Sequence, residues 1–96
     1  MKLPAVYILA SKPKDVLYIV VTRNLPRRIW QHKNNVFASY TQRHVVHLLV
    51  YYELHEGITQ TIAREKRMKK WRRAWKVNLI EKHNPEWEDL YFQLVE

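Results

Sequence analysis

The chain has 96 residues, of which 47% are hydrophobic and 12% aromatic, a composition typical of one globular domain and not of a disordered segment. Its formal net charge of +8, from 17 Lys and Arg against 9 Asp and Glu, favours a polyanionic partner, with nucleic acid ahead of an anionic membrane. The absence of cysteine excludes disulfides, thiolate nucleophiles and Cys-type zinc sites and fits a reducing cytoplasm, and the single glycine excludes a glycine-rich phosphate loop.

Two short β-strands are predicted over residues 4–10 and 16–21, because both runs are rich in β-branched and aromatic residues. The intervening SKPKD has the Ser, Pro and Asp of a turn, so the pair is expected to form a hairpin. The second run is apolar throughout, which indicates a strand covered on both faces at the centre of a small sheet. Tyr7 and Tyr18 lie one on each strand, and a turn centred near residues 12–13 would place their rings roughly opposite each other on one face.

A basic helix is predicted next, from Asn24 as N-cap, with Pro26 in the first turn, to about Lys33. Leu25 and Ile29 are its expected core residues. The charge of the helix comes from Arg27, Arg28, His32 and Lys33. The second and third of these are four positions apart, so both project from one side of the helix.

In the second half of the chain, the sequence predicts one strand followed by helices. Residues 35–45 show no clear period and are interpreted as a loop, whereas residues 45–54 form the third predicted strand, ended by the turn signal HEG. Apolar residues then recur at helical spacing over residues 58–71 and again over residues 73–83. We expect two helices here, with a break near Arg72.

The chain ends with a short predicted helix, for which Asn84 is the cap and Pro85 the first position. The order β-β-α-β-α-α-α predicts a single α+β domain over residues 1–96, with a small three-stranded antiparallel sheet flanked by helices. Three tryptophans of this half are expected in the core or between helices and not as base-stacking platforms: Trp71, Trp75 and Trp87.

The order Tyr7, Tyr18, Arg28, His32 and then Glu65 resembles the GIY-YIG nuclease family, in particular its small stand-alone bacterial members, over essentially the whole chain. VYIL and LYIV stand where the family has its two tyrosine motifs, and NLPRRIWQHK resembles its Arg/His helix. AREKRMKKWRRAWK resembles the helix that carries the acidic residue, and NPEWEDL resembles the closing motif.

This resemblance implies a metal-dependent endonuclease. Tyr7 would be the general base for the attacking water, Tyr18 would support that base or bind phosphate, and Arg28 would stabilise the pentacovalent phosphate. His32 would hydrogen-bond to phosphate or to Tyr7, and Glu65 would be the one protein ligand of a single Mg²⁺ or Mn²⁺. The chemistry is coherent, because a guanidinium and a divalent ion both stabilise the charge that develops on phosphate, and Mg²⁺ often takes only one or two protein carboxylates.

The expected partner is nucleic acid, DNA in the first place, with no small-molecule cofactor. No apolar run approaches the about 20 residues of a membrane-spanning helix, and no secretory signal pattern opens the chain. Contacts to the phosphate backbone are expected from six basic residues: Arg27, Lys33, Lys69, Lys70, Arg72 and Arg73. The alternative reading of these residues is a solvated basic face, with Glu65 and Lys69 forming an ordinary i,i+4 pair.

Two positions depart from the family pattern. Ala5 precedes Val6 and Tyr7, and Val20 stands where the second tyrosine motif ends in glycine. A glycine in a strand often marks the close approach of another group, so a branched side chain there would narrow the cleft. The alternative function is therefore a non-catalytic nucleic-acid-binding module on the same scaffold, and a third is a protein-binding adaptor that uses the Trp-rich helices.

Overall fold

A three-stranded antiparallel sheet organises the part of the chain that the computed structural model describes, residues 3–34 and 48–94. The strands are β1 (Ala5–Ala10), β2 (Leu17–Thr22) and β3 (Leu48–Leu54). The helices are α1 (Leu25–Lys33), α2 (Ile58–Lys69), α3 (Arg73–His83) and α4 (Tyr91–Leu94). The predicted α+β class and the predicted order of elements are confirmed. The predicted loop at 35–45, and the first three residues of the predicted third strand, lie outside the described residues.

The first strand, and not the second, is central. The sheet order is β2-β1-β3, and every residue of β1 is buried. The prediction of a central β2 is wrong: β2 is an edge strand, and four of its six residues are half-exposed. The expected cover on both faces is nevertheless present, because Leu17, Ile19 and Val21 pack on one face of the sheet while Tyr18 and Val20 pack on the other.

Successive side chains of β1 point to opposite faces of the sheet, so the core has one part on each face. On one face, below called the α2/α3 face, Val6 and Ile8 pack with Met68 of α2 and Ile80 of α3. On the other, below called the α1 face, the packed residues are Ala5, Tyr7, Leu9, Leu25, Ile29 and Leu49, with Leu90, Tyr91 and Leu94 of the C-terminal segment. Tyr7 therefore points towards α1.

Helix α1 begins as its cap predicts. The side chain of Asn24 accepts a hydrogen bond from the backbone N–H of Arg27 at 3.3 Å, which satisfies one of the free N–H groups of the first turn. Leu25 and Ile29 are buried, as expected, and Trp30 is 52% exposed on the outer side of the helix. The helix therefore packs on the sheet through Leu25 and Ile29, and Arg27 on its outer side is exposed.

The predicted break between the second and third helices is also present. Arg72 has an extended backbone, with φ −61° and ψ 151°, and occupies the N-cap position of α3. The next residue holds the start of α3 against the β1–β2 turn: Nη2 of Arg73 donates to the carbonyls of Lys14 at 2.9 Å and Asp15 at 2.6 Å. These two hydrogen bonds join segments that are distant in sequence.

The C-terminal segment differs from its prediction. Asn84 does not cap a helix at Pro85 but ends α3, and the terminal helix starts only at Tyr91. The reason is the buried Asn84 amide, which donates to the carbonyls of Val50 at 3.0 Å and Glu88 at 2.9 Å. These bonds hold residues 84–88 against β3 in a turn, in place of a helix.

The tryptophans separate into core and surface. Trp87 is buried, at 3% exposure, and its Nε1 donates to Glu81 at 2.8 Å, while Trp71 packs at the edge of the α2/α3 face. Trp75, expected in the core or between helices, is 54% exposed, so it is not a core residue, although its ring contacts Trp71. Helical spacing grouped Trp75 with Leu79 and Ile80, but only Ile80 of these three is buried, because the spacing does not say which side of α3 meets the sheet.

A charged cluster on β3, which the sequence did not indicate, links the sheet to α2. The carboxylate of Glu53 accepts hydrogen bonds from Nε of Arg64 at 2.8 Å and from the hydroxyl of Tyr51, and lies 2.9 Å from Nε2 of His55. Burial alone raises the pKa of Glu53, but the hydrogen bonds from these three groups outweigh it and lower the pKa overall. The cluster therefore holds a carboxylate ionised where α2 crosses the sheet.

Candidate active site

The two tyrosines of the hairpin share the α1 face. In the register of β1 and β2, Tyr7 lies opposite Val20, and Tyr18 lies opposite Leu9. The expectation of a common face is therefore confirmed, but the rings are diagonal neighbours and not directly opposed. The difference comes from the turn between the strands, which includes Lys14 with φ 61°. This turn centres one residue later than expected. Such a shift changes the partner of each residue on the opposite strand by two positions.

A hydrogen bond joins the first tyrosine to the basic helix. The hydroxyl of Tyr7 lies 3.0 Å from Nε2 of His32, and the two rings are tilted by 58° with their centroids 6.0 Å apart. Tyr7 is fully buried and His32 is 7% exposed. The tautomer of the imidazole sets the direction of this bond. The sheet and α1 thus place a phenol and an imidazole in direct contact inside the protein.

The surroundings keep Tyr7 protonated. Burial raises the pKa of its hydroxyl well above the ordinary value of about 10, the charge of Arg28 lowers it in part, and Tyr18 raises it. The geometry agrees, because Tyr18 is the diagonal neighbour of Tyr7 on the sheet and Arg28 lies one helical turn before His32 on α1. The structure therefore brings together four predicted residues: Tyr7, Tyr18, Arg28 and His32.

A pocket of about 640 Å³ opens beside this group, between the end of β2, the start of α1 and the start of α2. Its lining comprises Val21, Thr22, Arg23, Asn24, Arg27, Arg28, Gln31, Ile58 and Ile62. The lining includes three arginines and two isoleucines, so the pocket combines positive charge with apolar surface. Its volume lies within the range of about 300–1,000 Å³ that is usual for sites of small organic ligands.

Glu65 comes from a different element. It lies on α2, three positions after Ile62, and its Oε2 is 3.2 Å from Nζ of Lys69. The expected i,i+4 pair is thus present, and the carboxylate is half-buried at 18% exposure. Among the described residues no three His, Cys, Asp or Glu side chains group as metal ligands. A single half-buried carboxylate still fits Mg²⁺, which keeps most of its waters and takes few protein ligands.

Two of the six basic residues predicted to contact nucleic acid lie on α1. Arg27 is exposed and lines the pocket. Lys33 instead forms an ion pair with Asp89, and its ammonium lies 5.4 Å from the ring centroid of Tyr91. This contact ties α1 to the C-terminal segment, which gives Lys33 a structural role whether or not it also meets a phosphate.

The other four basic residues lie at the junction of α2 and α3. Lys69 pairs with Glu65, and Arg73 donates to the carbonyls of the β1–β2 turn. Lys70 and Arg72 are both exposed, and the guanidinium carbon of Arg72 lies 6.0 Å from the ring centroid of Trp75. The four residues therefore differ in how much of their charge is directed to solvent.

Several residues around the site were not expected from the sequence. Tyr52 lies directly opposite Tyr7 on β3 and packs on the same face. Arg23 and the two isoleucines of α2 line the pocket together with Arg28. The pair of tyrosines at 51–52 could have indicated this contact, because neighbouring residues of a strand face opposite sides of the sheet and one of the two must share the face of Tyr7. The pocket could not be predicted from any local pattern in the sequence, because its lining residues come from three separate elements.

Comparison with known proteins places the chain in a family. The model of the GIY-YIG catalytic domain matches residues 3–78. A UPF0213 protein from Clostridium perfringens is 40% identical over 75 residues, which cover 78% of this chain and 80% of that protein. A second UPF0213 protein, from Syntrophus aciditrophicus, is 37% identical over 82 residues, which cover 84% of this chain and 92% of that protein. No solved structure matches.

None of the four described helices has the length and apolar run that a crossing of the bilayer requires. The matched residues include both tyrosines, the basic helix that carries Arg28 and His32, and the part of α2 that carries Glu65. The sheet, α1, α2 and the candidate site therefore lie within the region that the family shares, whereas the end of α3 and α4 lie beyond it. The chain belongs to the GIY-YIG catalytic domain family.

Proposed function

We propose that the protein is a metal-dependent endonuclease that hydrolyses phosphodiesters of DNA. The observation that carries the proposal is the buried contact of Tyr7 with His32, next to Arg28 and to a pocket with three arginines. A phenol in contact with an imidazole can move a proton, and a guanidinium can stabilise a phosphate under attack. Membership in a family of nuclease domains supports the same chemistry.

The proton chemistry follows from the contact between the phenol and the imidazole. Because burial raises the pKa of Tyr7, the side chain is a neutral phenol and not a ready phenolate. We infer that the hydroxyl oxygen of Tyr7 takes the proton of the attacking water as its own proton passes to Nε2 of His32. The step requires the His32 tautomer with its proton on Nδ1 and the entry of one water molecule to the buried phenol. The phenol is then never a free phenolate in the buried site, and the charge that develops rests on the imidazole.

Phosphate recognition is assigned to the arginines of the pocket. Tyr18 and Arg28 are half-buried, whereas Tyr7 is fully buried, so we place the scissile phosphate on the side of Tyr18 and Arg28. The guanidinium of Arg28 would stabilise the negative charge that develops on phosphorus oxygens during attack. Arg23 and Arg27, on the same wall of the pocket, would hold neighbouring phosphates of the strand.

Glu65 is proposed to hold the divalent ion. Its half-buried carboxylate pairs with Lys69 at the protein surface, and binding of a cation would compete with this pair. When bound, Mg²⁺ or Mn²⁺ would supply Lewis-acid stabilisation of the phosphate and its leaving group. The role of this chain is to present one ionised carboxylate and to leave the other coordination positions to water and substrate.

Plasmid DNA tests the proposal, with supercoiled DNA incubated with Mg²⁺ or Mn²⁺ and separately with a chelator. We expect nicking that requires the metal, and a loss of at least about 100-fold in rate in Glu65→Gln, because a metal contributes several kcal/mol to the barrier. Glu86→Gln is the matched control, since Glu86 is exposed and lies outside α2. Full activity of Glu65→Gln, or no metal-dependent cutting of plasmid, single-stranded or branched DNA by the natural chain, would contradict the proposal.

A non-catalytic nucleic-acid-binding module is the second candidate, and Val20 is the observation that favours it. Val20 is the direct cross-strand partner of Tyr7, and its branched side chain packs on the face that carries the site. The GIY-YIG motif has glycine at this position. A displacement of about 1 Å at a reacting group can cost about 100-fold in rate, so this side chain alone could suppress turnover.

Replacing Val20 by glycine separates the two candidates. If the valine restricts the site, Val20→Gly should raise single-turnover cleavage by on the order of 10-fold. It should also lower stability by about 1–2 kcal/mol, because glycine weakens a strand and apolar contacts are lost. Leu17→Gly, on the opposite face of β2 and outside the lining of the pocket, should lose stability without gaining rate. Equal rates in both variants would show that Val20 does not limit cleavage.

A further inference from the structure

An exposed indole marks the start of α3. Trp75 is 54% exposed, although large aromatic side chains are usually buried. Its ring is held from two sides: the guanidinium carbon of Arg72 lies 6.0 Å from the ring centroid, and Trp71 meets it edge-on at 6.3 Å with an interplanar angle of 72°. An exposed ring in a fixed orientation is a surface on which another planar group can stack.

The segment of the chain that carries this ring is strongly positive. Residues 64–76 contain eight Lys and Arg and one acidic residue, Glu65. Some of these cations have partners within the fold, because Arg64 pairs with Glu53 and Arg73 holds the β1–β2 turn. The cations of the segment that are exposed and for which no anionic partner is described are Lys66, Arg67, Lys70 and Arg72. The surface is therefore complementary to a polyanion.

This surface is separate from the pocket. The hydrogen bonds of Arg73 to the carbonyls of Lys14 and Asp15 place the start of α3 beside the β1–β2 turn, at the Leu17 end of β2. The pocket is lined by Thr22, at the other end of the same strand. The two ends of β2 are about 17 Å apart at the rise of a β-strand, a distance that about five stacked nucleotides of one strand span at 3.4 Å each.

We propose that Trp75, together with Arg72 and the other exposed cations of residues 64–76, forms a second nucleic-acid site, which stacks an unpaired base of a single-stranded segment on the indole. The bases of a duplex are already stacked on each other, so an indole face gains contact only with an unpaired base. An acidic protein could meet the cations, but it would not need a stacking ring. The inference rests on the proposed nucleic-acid substrate and assigns to this substrate an unpaired stretch beyond the cleaved phosphate.

Binding without cleavage tests this site, with the Glu65→Gln chain and a chelator present. Fluorescence anisotropy would compare oligo-dT, oligo-U and a DNA duplex of equal length over a range of salt concentrations. We expect Trp75→Ala to weaken single-strand binding by about 5- to 100-fold, the range for one stacked base, with duplex binding changed by less than about twofold. The two single strands show whether the site distinguishes DNA from RNA.

The matched control is Trp30→Ala, which removes another exposed indole, on α1, and should change binding by less than about twofold. Unchanged single-strand binding by Trp75→Ala, with far-UV circular dichroism like that of the parent, would overturn the stacking site. So would an equal loss of single-strand, duplex and poly-glutamate binding, which would indicate a general anion surface or an acidic protein partner. Neither result depends on cleavage: loss of the proposed nuclease activity would leave a Trp75-dependent affinity intact.

Discussion

Cleavage by Tyr7→Phe is expected to be about 10²- to 10⁴-fold slower than cleavage by the natural chain, the usual contribution of a positioned acid–base group. The substitution removes one oxygen and keeps the ring that packs between Ala5, Leu9 and α1. The bond of the hydroxyl to Nε2 of His32, at 3.0 Å, is lost with it. Loss of one buried hydrogen bond costs about 1 kcal/mol, so the protein should fold and bind DNA nearly as before.

Single-turnover cleavage with saturating DNA measures this effect, and thermal unfolding measures the cost in stability. Tyr52→Phe is the matched control, because Tyr52 lies directly opposite Tyr7 on β3 and packs on the same face. We expect Tyr52→Phe to cut at a rate within a few-fold of the natural chain. A Tyr7→Phe protein that cuts as fast as Tyr52→Phe would remove the phenol from the mechanism and leave it as a packing residue.

Arg28→Ala should lower the cleavage rate at saturating DNA by about 10²- to 10³-fold, the effect of removing one preorganised donor from a developing charge. A second consequence adds to this loss. Burial raises the pKa of Tyr7 and the charge of Arg28 lowers it in part. Removal of Arg28 should therefore raise this pKa further and make the phenol still harder to deprotonate. Arg28→Lys should recover part of the rate, since a lysine keeps the charge but not the planar fork of donors.

Arg27→Ala is the control for this prediction. Arg27 is the neighbouring residue of α1 and lines the same pocket, but it is exposed. Its loss should weaken DNA binding similarly for all sequences and reduce the slope of log affinity against log salt by about 1, with a small effect on the rate at saturation. Equal effects of the two substitutions on rate and on affinity would show that Arg28 only binds the backbone.

Local features of the sequence were sufficient for the individual elements and for part of the site. Asn24 capped α1 as expected, because a cap depends on a few consecutive residues. Arg28 and His32 share one side of α1 for the same reason, since a spacing of four is one turn. The common face of Tyr7 and Tyr18 followed from strand alternation alone, although the turn around Lys14 changed their register.

Only the tertiary structure decided which surfaces meet. It made β1 the central strand, engaged Asn84 with β3 in place of a helix start, and left Trp75 exposed. The pocket formed in the same way, from side chains of β2, α1 and α2. Periodicity and capping act over a few residues and can be read along the chain. Burial, charge pairing and the approach of distant side chains depend on which elements stack, and the chain settles that only when it folds.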